Sequence, residues 1–127
     1  MIYQIKPCPK PRMTRRDKYL GKPGRDPMRP EVARYWAFRD EVGYRMKEVN
    51  LDESKVIFFV PMPPSWSAKK RAEMLGQPHR QKPDLDNFIK GLGDALHADD
   101  AHVATVWAAK RWAEEGAISI EPLENML

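Results

Sequence analysis

The chain has 127 residues, 42% apolar and 31% charged, with a single cysteine and a formal net charge of +4. That length builds one domain around one core, and no apolar run approaches the roughly 20 residues that a membrane span needs. Cys8, flanked by Pro7 and Pro9, can form no internal disulfide, and the start Met1-Ile2-Tyr3-Gln4-Ile5-Lys6 lacks the charged-then-apolar pattern of a secretory signal, so the expected compartment is the cytoplasm.

Residues Ile2 to Ile5 read as a short first strand. From Lys6 to Pro30 the chain carries six prolines and two glycines, too many for long regular structure. This stretch holds nine Lys or Arg against two Asp, so nearly all the excess positive charge is local. A basic loop of this length suits a DNA-backbone arm, since neutralised phosphates release counterions and drive binding. Arg12, Arg15, Arg16 and Lys18 are its expected contacts; the plain alternative is a solvated tail.

Glu31 to Val49 predicts a helix. Pro30 suits its start, and Tyr35, Phe38, Val42, Met46 and Val49 recur at three and four as a buried stripe. Val56-Ile57-Phe58-Phe59-Val60 is an unbroken apolar run, which predicts a central strand between Lys55 and Met62, buried on both faces. Pro61, Pro63 and Pro64 end it. Ser67 then predicts an N-cap for a short helix through Leu75 that Gly76 closes. Lys69, Lys70, Arg71, Arg80 and Lys82 make the 65–82 stretch a second basic patch, expected to hold DNA phosphates; the plain alternative is an exposed linker helix.

The stretch Lys82 to Asp100, KPDLDNFIKGLGDALHADD, runs against this basicity: it holds five of the eighteen acidic residues. Asp86 reads as the cap of a helix whose apolar stripe is Ile89, Leu92 and Leu96. Asp86, Lys90 and Asp94 line one edge of that helix. Asp84 on one side and Asp99-Asp100 after His97-Ala98 complete a carboxylate cluster, expected to close up through short connections. Crowded carboxylates repel unless a cation or proton neutralises them. Oxygen-only ligands suit Mg²⁺ or Mn²⁺ better than zinc. The competing reading makes Asp86 a cap, pairs Asp94 with Lys90 and leaves Asp99-Asp100 as a solvated turn. Gly91 and Gly93, costly inside a helix, suggest close approach of another backbone or of DNA. His79, His97 and His102 show no metal-ligand spacing and are expected at the surface or, at most, in contact with substrate. Val103 to Trp112 and Ala117 to Glu121 read as two strands of a final hairpin around the turn Ala113-Glu114-Glu115-Gly116.

The run K-P-D-L-D-N-F-I-K-G-L-G-D-A-L, followed by D-D-A-H-V, resembles the signature of RusA-like Holliday-junction resolvases. It differs from that pattern in a shorter connection from Asp94 to Asp99-Asp100 and a longer, more basic segment from Ser65 to Gln81. The resemblance implies a homodimeric, Mg²⁺-dependent endodeoxyribonuclease, with Mn²⁺ as a substitute ion, that nicks four-way DNA junctions symmetrically in recombination and repair. Carried over by position, it makes Asp84, Asp86 and Asp100 the metal carboxylates and Lys90 the basic residue of the site. Asp99 is the less favoured third ligand and is expected to close the helix-to-strand turn. Flap or fork cleavage, and DNA binding without catalysis, are the alternatives. The expected fold is a single α/β domain over 1–127, a mixed sheet with two main helices packed on it, bearing a basic Pro-rich loop (6–30) and a basic insertion (65–82).

Overall fold

The apolar run around Phe58 is the centre of the sheet. In the computed structural model, which describes residues 1–13 and 28–126, β2 (Ser54–Pro61) has a partner along each edge. β3 (Val106–Ala113) pairs with it in parallel, and β4 (Ala117–Pro122) pairs with it antiparallel. β1 (Ile2–Tyr3) adds antiparallel to the far edge of β4, giving the order β1-β4-β2-β3. Three helices complete the domain: α1 (Pro30–Arg45), α2 (Ala68–Met74) and α3 (Leu85–Leu96). The fold is a small α/β domain with a mixed sheet, as the residue pattern predicts.

α1 and α3 lie together on one face of the sheet. Tyr35, Phe38, Val42 and Met46 of the α1 stripe pack with Phe88 and Leu92 of α3 on Val56, Phe58, Ile118 and Ile120. The rings of Phe58 and Phe88 stack with centroids 5.3 Å apart, which ties the start of α3 to the central strand. Truncating a buried aromatic of this kind to alanine costs about 3–5 kcal/mol.

Four expectations are corrected. β2 is buried on one face only: Ser54, Val56 and Phe58 are enclosed, while Ile57 and Phe59 on the opposite face are only partly covered. Both α1 and α3 pack on the first face. The last two strands form no hairpin, because β2 lies between them. A strand with polar backbone on both edges gains two ladders in that central slot and would expose one edge outside it. The connection past its end is tight; a Cβ on Gly116 would sit 2.7 Å from Lys6 Cα. α1 stops at Arg45, a turn before Val49. β3 begins at Val106 rather than Val103, because residues 101–105 follow a turn in which Val103 N–H bonds Asp100 C=O at 2.9 Å.

The insertion folds as expected and docks on β3. Ser67 Oγ accepts from Lys70 N–H at 3.2 Å, and Gly76, with φ +79°, turns the chain out of α2. The next residues run antiparallel along the outer edge of β3, with Gly76 N–H to Trp112 C=O (2.9 Å) and Trp112 N–H to Gln77 C=O (3.0 Å). Trp112 packs against the rings of both Trp66 and His79, at centroid distances of 4.7 and 4.2 Å. His79 is therefore not a surface residue; it is 4% exposed, and burial chiefly, with the Lys110 charge, holds its pKa below the ordinary imidazole value.

Candidate active site

The start of α3 is where the acidic motif meets solvent. Asp84, not Asp86, is the N-cap residue, with φ −67° and ψ 150°, and Asp86 sits in the first turn. An aspartate at this position ordinarily accepts from the first-turn N–H groups, worth about 1 kcal/mol. Asp84 makes no such bond. Its carboxylate, that of Asp86 and the ammonium of Lys90 are exposed, and none has a hydrogen bond or ion pair among the described residues. The positive end of the helix dipole favours both carboxylates here.

One turn further, α3 is bound to the root of the basic arm. Asp94 pairs with Lys10, not Lys90. Lys10 N–H also bonds Asn87 C=O at 3.3 Å. The chain crosses the helix so closely that a Cβ on Gly91 would lie 2.7 Å from Cys8 C=O. Close backbone approach is thus the reason for Gly91. Beneath the crossing, the Tyr35 hydroxyl donates to Gly91 C=O at 3.1 Å, and its pKa is pushed up to about 12, by burial first and the Asp94 charge second. Burial also raises the Cys8 thiol, against the opposing charges of Arg34 and Lys6. A groove of about 820 Å³ runs beside this root, with Lys6, Arg12 and Arg34 in its wall and Pro83 and Phe88 at the end nearest Asp84.

The far end of α3 is built differently. His97 Nε2 accepts from Leu51 N–H at 3.2 Å, and His102 Nε2 meets Asn50 Oδ1 at 3.1 Å. Asp99 Oδ1 accepts from Ala101 N–H at 2.9 Å, the turn-closing bond expected of it. Asp100 turns toward the helix, its Oδ2 3.5 Å from where a Cβ of Gly93 would be. Gly93 lies nine positions beyond Asp84, roughly 13.5 Å along the axis at about 1.5 Å per residue. The connections therefore do not bring Asp100 to Asp84 and Asp86. Among the described residues, no group of three His, Cys, Asp or Glu is placed to hold one metal ion.

The family model of the endodeoxyribonuclease RusA matches residues 3–121. The chain belongs to the RusA family. No curated protein and no solved structure matches it. Membership in the RusA family implies a Holliday-junction endonuclease in general, of a kind that depends on a divalent metal. No helix among the described residues is long and apolar enough to cross a membrane.

In this RusA-family chain the donors at the start of α3 fit such an ion. Mg²⁺ commonly binds through one or two carboxylates, filling its other positions with water and substrate phosphate oxygens. Asp84 and Asp86 offer hard oxygen ligands that the fold leaves unused. The basic residues divide into used and unused. Arg71 donates to Pro63 C=O at 3.0 Å and to Glu114 at 2.7 Å, so it braces the insertion. The Lys70 ammonium lies 4.3 Å from the centre of the Trp66 ring. Lys69, Arg80 and Lys82 are exposed, Lys82 two residues before Asp84, and Arg12 is exposed at the groove. Arg15, Arg16 and Lys18 lie outside the described residues. Sequence reasoning assigned no role to Asp52, whose Oδ1 accepts from Ala104 and Thr105 N–H at 2.9 and 3.1 Å, bonds that lower its pKa. A lone Asp just before a strand gives no hint of this. Lys110, to which the residue pattern likewise assigns no role, donates from Nζ to Gln81 C=O at 2.5 Å and to Pro83 C=O at 2.7 Å.

Proposed function

We propose that the chain is a Mg²⁺-dependent endonuclease of the cytoplasm that resolves four-way DNA junctions by symmetric nicks, with Mn²⁺ able to replace Mg²⁺. The observation that carries this reading is the N-cap Asp84 that forgoes its cap, beside an exposed Asp86 and Lys90, inside the RusA motif. Asp84 and Asp86 would hold the ion. When bound, it would activate water and neutralise charge developing on the scissile phosphate. Lys90, one turn along the helix from Asp86, offers an ammonium to a non-bridging phosphate oxygen. The groove with Lys6, Arg12 and Arg34 would carry one DNA backbone toward Asp84, and Lys82 would meet the phosphates on the other side.

A second copy has two tasks in this scheme. Resolution needs a nick in each of two strands, and a two-fold dimer sets two identical sites on symmetric strands. It would also supply Asp100, which in its own chain stands at the wrong end of α3 for the ion held by Asp84 and Asp86.

The test is a substrate panel of four-way junction, flap, fork and linear duplex, each with Mg²⁺, Mn²⁺ or EDTA. The reading expects metal-dependent paired nicks on the junction, with the other substrates cut far more slowly. Faster cutting of flaps or forks would move the chain to another substrate class. Junction binding without cleavage in either metal would make it a binding protein.

A further inference from the structure

The geometry points to Lys110 as the positioning residue for Asp84, an inference that rests on the metal-site reading above. The segment entering α3 is a strap, His79 to Pro83, and one residue of β3 holds it at three points. His79 N–H bonds the Lys110 backbone carbonyl at 3.0 Å. There the main-chain ladder along β3 ends. Beyond it the Lys110 side chain takes over, with Nζ donating to Gln81 C=O at 2.5 Å and to Pro83 C=O at 2.7 Å.

The second of these bonds bears on the site. Pro83 C=O belongs to the peptide plane whose other end is Asp84 N, so fixing that carbonyl fixes the plane from which the Asp84 Cα–Cβ bond departs. Asp84 has no cap bond of its own to orient it. The lysine therefore supplies from the sheet the restraint that the helix does not. A charged donor suits this: hydrogen bonds from an ammonium are stronger than neutral ones. The stem reaches from the inward face of β3, where Lys110 lies opposite Phe58 in register. A residue that bonds neither ion nor substrate but sets a ligand's direction typically changes metal affinity or activity by about 10–100-fold when removed.

Charge alone makes the opposite prediction. Lys110 brings a positive charge toward the carboxylates, so its removal as a bystander would leave cation binding unchanged or tighten it. Mn²⁺ binding to the whole protein without DNA, followed by water-proton relaxation, separates the two. Lys110→Met should weaken Mn²⁺ binding by about tenfold or more, with the fold intact by circular dichroism. Lys110→Arg, which keeps the charge and two donors, should recover part of the loss. If Lys110→Met does not fold, Lys110→Gln replaces it; its amide reaches one carbonyl of the two, and an intermediate loss is expected. Wild-type affinity in folded Lys110→Met or Lys110→Gln would overturn the positioning role and leave the metal-site reading standing. A wild-type protein that binds no Mn²⁺ would overturn both.

Discussion

The two ends of α3 carry similar residues put to opposite use. At the far end, polar side chains are occupied: His97 with Leu51 N–H, His102 with Asn50, Asp99 with Ala101 N–H, and Asp52 across from them with Ala104 and Thr105 N–H. At the near end Asp84, Asp86 and Lys90 have no such partner among the described residues, although a cap bond is one side-chain rotation away in principle. Polar groups that fold a chain are bonded within it; those kept out of such bonds are available to something outside it. Asp100 stands among the occupied groups, but its carboxylate makes no hydrogen bond among the described residues, which places it with the near end in kind though not in position.

The sharpest way to break this comparison is to neutralise one residue at each end. Asp84→Asn and Asp86→Asn should each reduce junction cleavage at least about 100-fold, since a metal ligand should cost no less than the residues that orient it. Thermal stability should hardly change, because neither carboxylate is bonded to any of the described residues. Cleavage within a few-fold of wild type in both variants would put the chemistry elsewhere.

The crossing between arm and helix comes next in size. Gly91→Ala sets a methyl group against Cys8 C=O, which is backbone and has no rotamer to escape to, and should cost about 1–3 kcal/mol. Urea titration measures that loss. Junction binding should weaken with it, and its salt dependence should flatten, if the displaced arm root carries phosphate contacts. Unchanged stability would mean that the arm lifts away freely.

At the occupied end, Asp99→Ala should cost about 1 kcal/mol for its turn bond and leave the cleavage rate near wild type. A dead Asp99→Ala enzyme would make it, rather than Asp100, the third ligand.

The smallest effect is on pH. Burial holds the His97 pKa below the ordinary value, with the His102 charge adding to the shift and Asp100 opposing it. The neutral ring is favoured in the fold, so its stability is complete above the unfolded value near 6.5 and is lost as pH falls through the depressed folded value. His79 shifts in the same direction. His97→Gln keeps an acceptor for Leu51 N–H without titrating. Its melting temperature should drop less than that of wild type between pH 7.5 and 5.5. Equal drops would assign the acid sensitivity to other groups.

What could be read from residues alone follows from where the information sits. The α3 stripe, most of the α1 stripe, the Ser67 cap, the Gly76 exit and the central position of β2 follow from local patterns, and they appear where periodicity and capping place them. The motif named the family because its spacing is fixed within one short segment. The local misreadings are small: the end of α1, the start of β3 and the cap at Asp84 instead of Asp86; the larger ones are long-range. Nothing local says that β2 separates β3 from β4, that Lys10 reaches Asp94 ahead of Lys90, or that His79 is pressed onto Trp112. Asp100 is a case of the same kind: chain proximity suggests a closed cluster, whereas its carboxylate lies against Gly93, nine positions along α3 from Asp84.

The most direct test of the account mixes two damaged copies. Asp84→Asn and Asp100→Asn should each be inactive alone on a four-way junction in Mg²⁺. Co-refolded, they should form heterodimers in which one site joins intact Asp84 and Asp86 of one copy with intact Asp100 of the other. The account predicts recovered cleavage as single, unpaired nicks, at up to roughly half the heterodimer's share, since one site of its two is complete. A mixture as inactive as its parts would contradict the shared site, and an active Asp84→Asn parent would contradict the site itself.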